Sequence, residues 1–515
     1  MNKVLKGLVA VVSTAAMAIA GFAGAASATA ADTYDITVPQ TDSHTYSVYQ
    51  VFTGDLSEST LSNIKAGKNF NTSNGAGDNG TDLTAVKAAE KIAKVSDTAT
   101  DTEELETISK FVNLNGEAFG TVSKDAPLAA APGYYLFKDQ NAVTGNDAAT
   151  LFIVKVNGPV TVNRKADKPT FEKKVKDVND STGDKSDWQD SADYDVNDKV
   201  PFQLTATLPT SDTDFAAYKT YKLVFHDQQS AGLTFNKDSV VVKYNGHVHE
   251  EKTLGADSYT VTENPEDKDT FDITIADAKS VKDAEGNAIN VAAGGEFTVE
   301  YTSTLNANAV IGAAGNPNEA SLEFSNNPNV GGEGNTGKTP TDKVIVFTYQ
   351  LDINKTFNGG TPAENDLPKF KLYKFDSTTG DYTIDRGEMT ITKTEDGKYT
   401  ASFKHVDDGK YKLVETKTPA GFNTAADTLF EITAEHEVES DNPQLTVLKI
   451  NTTPGNTTAG NTTTGTVTAD VVNQKGSNLP STGGMGTTVL YAAGAAIVLA
   501  AAFGIAFAVR RRNAH

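Results

Sequence analysis

Along residues 31–478, apolar side chains recur at every second position in short runs, as in Tyr349-Leu351-Ile353 and Phe271-Ile273-Ile275. Successive side chains of a strand point to opposite faces, so this period gives one apolar and one polar face, as a half-buried antiparallel strand requires. Clusters of Gly, Asn and Asp interrupt the runs at 71–82, 178–187 and 326–337, the last followed by Thr339-Pro340. Such clusters mark turns and linkers. Helical spacing is predicted only at 56–66 and 83–94, and the Thr/Asn/Gly-rich stretch 452–466 reads as a long loop. The pattern predicts an all-β chain in three units, 31–167, 168–333 and 340–477.

Each unit has the size of an immunoglobulin-like β-sandwich, about 100 residues plus insertions. The chain carries 67 acidic against 45 basic residues, a net charge of −22, and no cysteine. A balance this acidic disfavours nucleic acid, whose phosphates need clustered Lys and Arg. Without cysteine, disulfides and thiolate metal sites are excluded.

The two ends are addressed to the cell envelope. Residues 1–30 place Lys3 and Lys6 ahead of an apolar run at 9–22 and end in small residues, which predicts a secretory signal peptide cut after Ala28 or Ala30. Residues 487–509 form an uncharged apolar stretch followed by Arg510, Arg511 and Arg512, and 510–515 read as a basic cytoplasmic tail. The stretch is long enough to span a bilayer, and the arginines keep that end inside. Leu479-Pro480-Ser481-Thr482-Gly483 precedes it. Motif, span and arginines in this order resemble the tripartite sorting signal of Gram-positive surface proteins. The resemblance implies that a sortase cleaves between Thr482 and Gly483 and passes the Thr482 carboxyl to an amine, the span holding the precursor only transiently. The removed segments contain five basic and no acidic residues, so the mature charge becomes −27.

Within the third unit, the strand from Tyr349 puts Lys355 on the same face as Leu351 and Ile353, and Tyr411-Lys-Leu413-Val-Glu415 does the same for an acid. The last strand runs into Asn473. An amine, a carboxyl and a carboxamide are thus aimed inward. Burial lowers the pKa of a lysine and raises that of a glutamate, giving a neutral nucleophile beside a protonated acid. Attack on the carboxamide with loss of ammonia leaves an internal amide. The pattern Y-x-L-x-E-x-x-x-P-x-G-F, intact from Tyr411 to Phe422, resembles the B-type repeat domain of collagen adhesins. That likeness implies an intramolecular isopeptide bond between Lys355 and Asn473, with Glu415 catalytic.

The second unit repeats the set at other spacings. Lys173 lies on the apolar face of 171–175, Asp227 ends a strand at 221–225, and Asn318 shares a face with Ala320, Leu322 and Phe324. These segments resemble the A-type isopeptide domain of pilin shafts, with Asp227 in the catalytic position. Lys174 is an alternative to Lys173, and Asn326 or Asn327 to Asn318. At the border of units one and two, Val160-Thr-Val162-Asn163-Arg164-Lys165 leaves a lysine before Pro169. Its place resembles the pilin-motif lysine of sortase-assembled pili, which receives the next subunit's sorting threonine. The flanks differ from that motif, and Lys168 is close by.

Together these features resemble a major pilin of the actinobacterial type. The resemblance implies a secreted, wall-attached fibre shaft whose identical subunits are joined Lys165 to Thr482. Its partners would be a sortase, peptidoglycan (through a base subunit if one exists) and a host or bacterial receptor for attachment or aggregation. A head-to-tail, non-closing contact builds a filament. In such a filament each internal amide would tie the first strand of a stressed domain to its last. A monomeric anchored adhesin is the alternative. No enzyme, cofactor or metal site is predicted. His247 and His249, beside Glu250 and Glu251, read as a polar hairpin, and the acidic loop 176–180 as a solvated turn without the glycine and glutamate of a calcium loop.

Overall fold

The strand Lys199–Thr207 shows the period-2 pattern at work: Val200, Phe202, Leu204 and Ala206 are buried, and their neighbours face outward. The computed structural model describes residues 33–57, 60–71, 85, 87–88, 107, 110–141, 147–149, 151–162, 167–246, 251–266, 268–328, 335–452 and 455–476. The expected signal peptide, sorting motif, apolar span, basic tail and Lys165 lie outside these residues, as do His247, His249 and Glu250. Among the described residues, helix is limited to Asp212–Ala216, to 3-10 turns at Ala256–Ser258 and Ala278–Ser280, and to positions 85, 87, 88 and 107. No helix among them is long and apolar enough to cross a membrane. The described residues are nearly all-β, as the alternation predicts.

The first unit has two sheets. One runs in the order Thr60–Ala66, Thr45–Ser57, Gly133–Asp139, Leu151–Val156, and the other sets Tyr34–Thr37 between Leu128–Ala130 and Val160–Thr161. Where a helix is expected at 56–66, Leu56 and Ser57 end one strand and Thr60–Ala66 pairs antiparallel with it, Leu56 opposite Leu61. Its few apolar residues suit helix or strand, and pairing with the long neighbouring strand decides between them.

In the second unit two sheets enclose one core that includes Phe202, Phe225, Tyr301, Leu322 and Val344. One sheet ends on Thr170–Val175, and the other has Asn316–Ser325 at its centre, flanked by Leu223–Gln229 and Asp342–Phe347. Asp342–Phe347, assigned to the third unit by sequence, runs antiparallel to Asn316–Ser325 and parallel to Ser191–Asp193. It therefore completes the second unit's sheet, and Thr348 alone separates it from Tyr349–Asn358, the first strand of the third.

The third unit packs a four-stranded sheet on a six-stranded one around Leu351, Ile353, Phe403, Tyr411 and Ile450. Tyr349–Asn358 lies between Tyr399–Val406 and the final strand Thr466–Gln474, to which it is parallel. The stretch 452–466 is not all loop: Asn456–Ala459 folds back on Leu445–Thr452, since β-branched threonines suit a pleated surface.

Units two and three are also joined by side chains. The loop 176–180, expected to be solvated, packs on the third unit, where Asn179 donates to Asp408 and the Asp180 carbonyl accepts from the Ser377 amide. Gly409 has φ +129°, and a Cβ there would meet Ser181 Oγ of the second unit at 2.5 Å, so glycine is required for the approach.

Two buried centres of lysine, acid and asparagine

In the second unit, alternation along Thr170–Val175 turns Lys173 into the core and Lys174 away from it. Lys173 Nζ donates to Asp227 Oδ2 at 2.6 Å and to the Tyr301 hydroxyl at 2.9 Å. Tyr301 in turn donates to Asp227 Oδ2 at 2.6 Å and accepts from Asn318 Nδ2 at 2.9 Å. One phenol thus links amine, acid and carboxamide. All four side chains are buried, and the Phe202 ring lies 5.3 Å from Nζ. Burial pushes the Lys173 amine down despite the neighbouring carboxylate, and pushes the Asp227 carboxyl up despite the neighbouring amine. Both shifts favour the uncharged pair, a free amine and a carboxylic acid. Asp227 Oδ1 and Asn318 Oδ1 have no hydrogen-bond partner.

The alternatives fall elsewhere. Lys174 Nζ pairs with Asp190 at 2.7 Å and Glu172 at 3.2 Å on the half-exposed face. Asn326, although buried, is used through its backbone, its carbonyl accepting from Ala149 and its amide donating to Asn335. Asn318 is not on the last strand of its unit, because Asp342–Phe347 follows and pairs with it. Lys173 and Asn318, expected on the first and last strands, thus lie on the first strand and a central one.

In the third unit the parallel pairing sets Lys355 opposite Val471 and Phe357 opposite Asn473, which makes Lys355 and Asn473 diagonal neighbours. Lys355 Nζ donates to the carbonyls of Thr356 at 2.8 Å and Val471 at 3.2 Å, and lies 4.6 Å from the Phe357 ring centre. Burial lowers its pKa to about 8, although Glu415 opposes the shift. Glu415 enters from Gly409–Lys417 in the facing sheet, and its Oε2 accepts from Asn473 Nδ2 at 2.9 Å and from the Ala425 amide at 2.5 Å. Glu415 Oε1 and Asn473 Oδ1 have no hydrogen-bond partner.

A third buried lysine behaves oppositely. Lys374 Nζ contacts Asp407 at 2.8 Å, Asp195 at 3.0 Å and Asp180 at 3.1 Å, and Arg386 contacts Asp195 at 3.0 Å. Burial disfavours its charge, but the surrounding acids, Asp407 foremost, outweigh this and hold it as ammonium. Two of the acids belong to the second unit, so this is a structural ion cluster at the joint. Sequence reading named neither Lys374 nor Tyr301. For Tyr301 a signal existed in the alternation of Phe297, Val299, Tyr301 and Ser303 into the core.

Comparison with known proteins gives two family matches, a prealbumin-like SpaA domain at residues 353–444 and an LPXTG cell wall anchor motif at 471–514. The trypsin-resistant surface T6 protein of Streptococcus pyogenes serotype M6 is 27% identical over 283 residues, covering 52% of this chain and 46% of that protein. The chain thus spans about half the length of the curated relative it matches. Similar solved structures include the T6 backbone pilin of S. pyogenes, with TM-score 0.46 and 19% identity over 86% of this chain and 98% of that one. The major pilin SpaD of Corynebacterium diphtheriae gives 0.43 and 16% over 87% and 98%. The chain therefore carries a prealbumin-like SpaA domain and, behind it, the LPXTG anchor of a cell wall surface protein.

Proposed function

We propose that this chain is the major structural subunit of a covalent surface pilus, polymerised by sortase through Lys165 and Thr482 and stiffened by amides from Lys173 to Asn318 and from Lys355 to Asn473. The observation that carries this reading is the pairing of each depressed, buried lysine with an acid and a carboxamide, in the two units that lie between the linkage residues. In each centre the uncharged Nζ attacks the asparagine Cγ. Asp227 or Glu415 relays a proton from the attacking amine to the departing nitrogen, the Cγ–Nδ2 bond breaks, and ammonia leaves. Closing a loop of this length stabilises a domain by roughly 4–5 kcal/mol on the estimate for disulfides, and an amide resists reduction.

The filament is tested on wall extracts of the native cell. A high-molecular-mass ladder that Lys165→Ala abolishes, and Lys168→Ala does not, supports a shaft subunit linked at Lys165. A single wall-linked band in wild type and variants alike would show a monomeric anchored adhesin.

A further inference from the structure

A cluster of ionisable groups at the joint of units two and three takes no part in either lysine centre. A carboxylate oxygen of Asp177, one of Asp193 and an imidazole nitrogen of His436 lie within 4.8 Å of one another. Asp193 belongs also to a second such group, with Asp407 and Asp408. It is 3% exposed, and its Oδ2 has no hydrogen-bond partner. The Tyr349 hydroxyl, buried as well, faces Asp193 without completing a hydrogen bond of ordinary geometry. A buried carboxylate oxygen without a donor is costly and needs a positive partner.

The imidazole is set to share such a partner with Asp193. Ser191 Oγ donates its one proton to the Glu437 carbonyl at 2.6 Å, so at 2.7 Å it accepts from His436 Nδ1. With Nδ1 carrying hydrogen, Nε2 is the nitrogen turned toward Asp193, 3.9 Å from Oδ1. That is too long for a hydrogen bond. It is a spacing open to two atoms that each stand about 2.0–2.2 Å from one shared ion. An imidazole whose other nitrogen is anchored by a hydrogen bond is also the usual form of a metal-ligating histidine.

We propose that Asp177, Asp193 and His436 bind one first-row divalent cation, Zn²⁺ or Mn²⁺, which clips the second unit to the third. The imidazole favours these ions over Ca²⁺, which takes six to eight oxygens. The two aspartates come from the second unit and the histidine from the third, so the site exists only when the two are docked.

The test is titration of the chelator-treated mature chain with ZnCl₂, MnCl₂ and CaCl₂ by calorimetry. One saturable equivalent of Zn²⁺ or Mn²⁺ is expected, lost in Asp193→Asn and in His436→Gln, and weakened about 10–100-fold in Ser191→Ala. No saturable phase, a phase unchanged by these substitutions, or preference for Ca²⁺ overturns the proposal. Substitutions in a packed joint can disturb folding, so pulsed electron paramagnetic resonance of Mn²⁺ on the unaltered chain gives a second reading. Coupling to a histidine nitrogen supports the site, and its absence overturns it.

Discussion

Asn473 Nδ2 donates to Glu415 Oε2 over 2.9 Å, although 58 residues separate the two in sequence. The contact joins the two sheets of the third unit beside Lys355. If the centre reacts, the product is a mass change. The mature chain is expected about 34 Da below its sequence mass, two ammonia losses. Glu415→Ala and Asp227→Ala should each restore about 17 Da, and the double variant all of it. Intact-mass spectrometry decides, and an unshifted wild type sinks the chemistry.

Tyr301 is the contact common to Lys173, Asp227 and Asn318. Tyr301→Phe keeps the ring packed against Phe202 and removes the link. The second-unit amide should then form about 10²–10⁴-fold more slowly, the range for a positioned proton-transfer group. A time course of mass after synthesis checks this, with the third-unit amide as internal control.

Because burial holds Lys355 near 8, its neutral fraction grows about tenfold per pH unit from pH 6 and levels off above 8. Thr466–Gln474 lies at the edge of its sheet, so a peptide of this strand can be added to a chain ending at 465. Ligation rate measured against pH should follow that curve. A rise continuing to pH 10 would mean an amine of ordinary basicity.

Lys374→Met leaves Asp407 buried without its cation and Asp195 with Arg386 alone. Removing one partner of such a cluster costs about 3–5 kcal/mol. Lys174→Ala, at a half-exposed pair, should cost about 0–1 kcal/mol. Denaturant midpoints of the two variants make the comparison, and equal midpoints would show that the joint does not depend on Lys374.

The architecture was legible because alternation is a local property: Val200, Phe202, Leu204 and Ala206 declare their face without reference to any partner. Lys173, Lys355, Asp227, Glu415, Asn318 and Asn473 were legible for the same reason, each being a polar residue on an apolar face. What escaped depends on pairing. The hairpin arm Thr60–Ala66 is a strand because Thr45–Ser57 lies beside it. Asp342–Phe347 belongs to the second unit because its hydrogen bonds go to Asn316–Ser325 across a Gly/Asn-rich tract that reads as a boundary. Lys374 alternates inward in Lys369–Asp376 like any core position, but its three acids come from distant segments.

The first and last strands of the third unit are neighbours and parallel, in register from Gln350 opposite Thr466 to Asn358 opposite Gln474. A pull on the start of one and the end of the other runs along both strands in opposite senses. Their interstrand hydrogen bonds are then loaded together in shear rather than broken singly from one end. This resistance needs no chemistry, so the nascent unit has a mechanical clamp before any amide forms. The proposed cross-link would then secure a joint that the topology has already set against slipping.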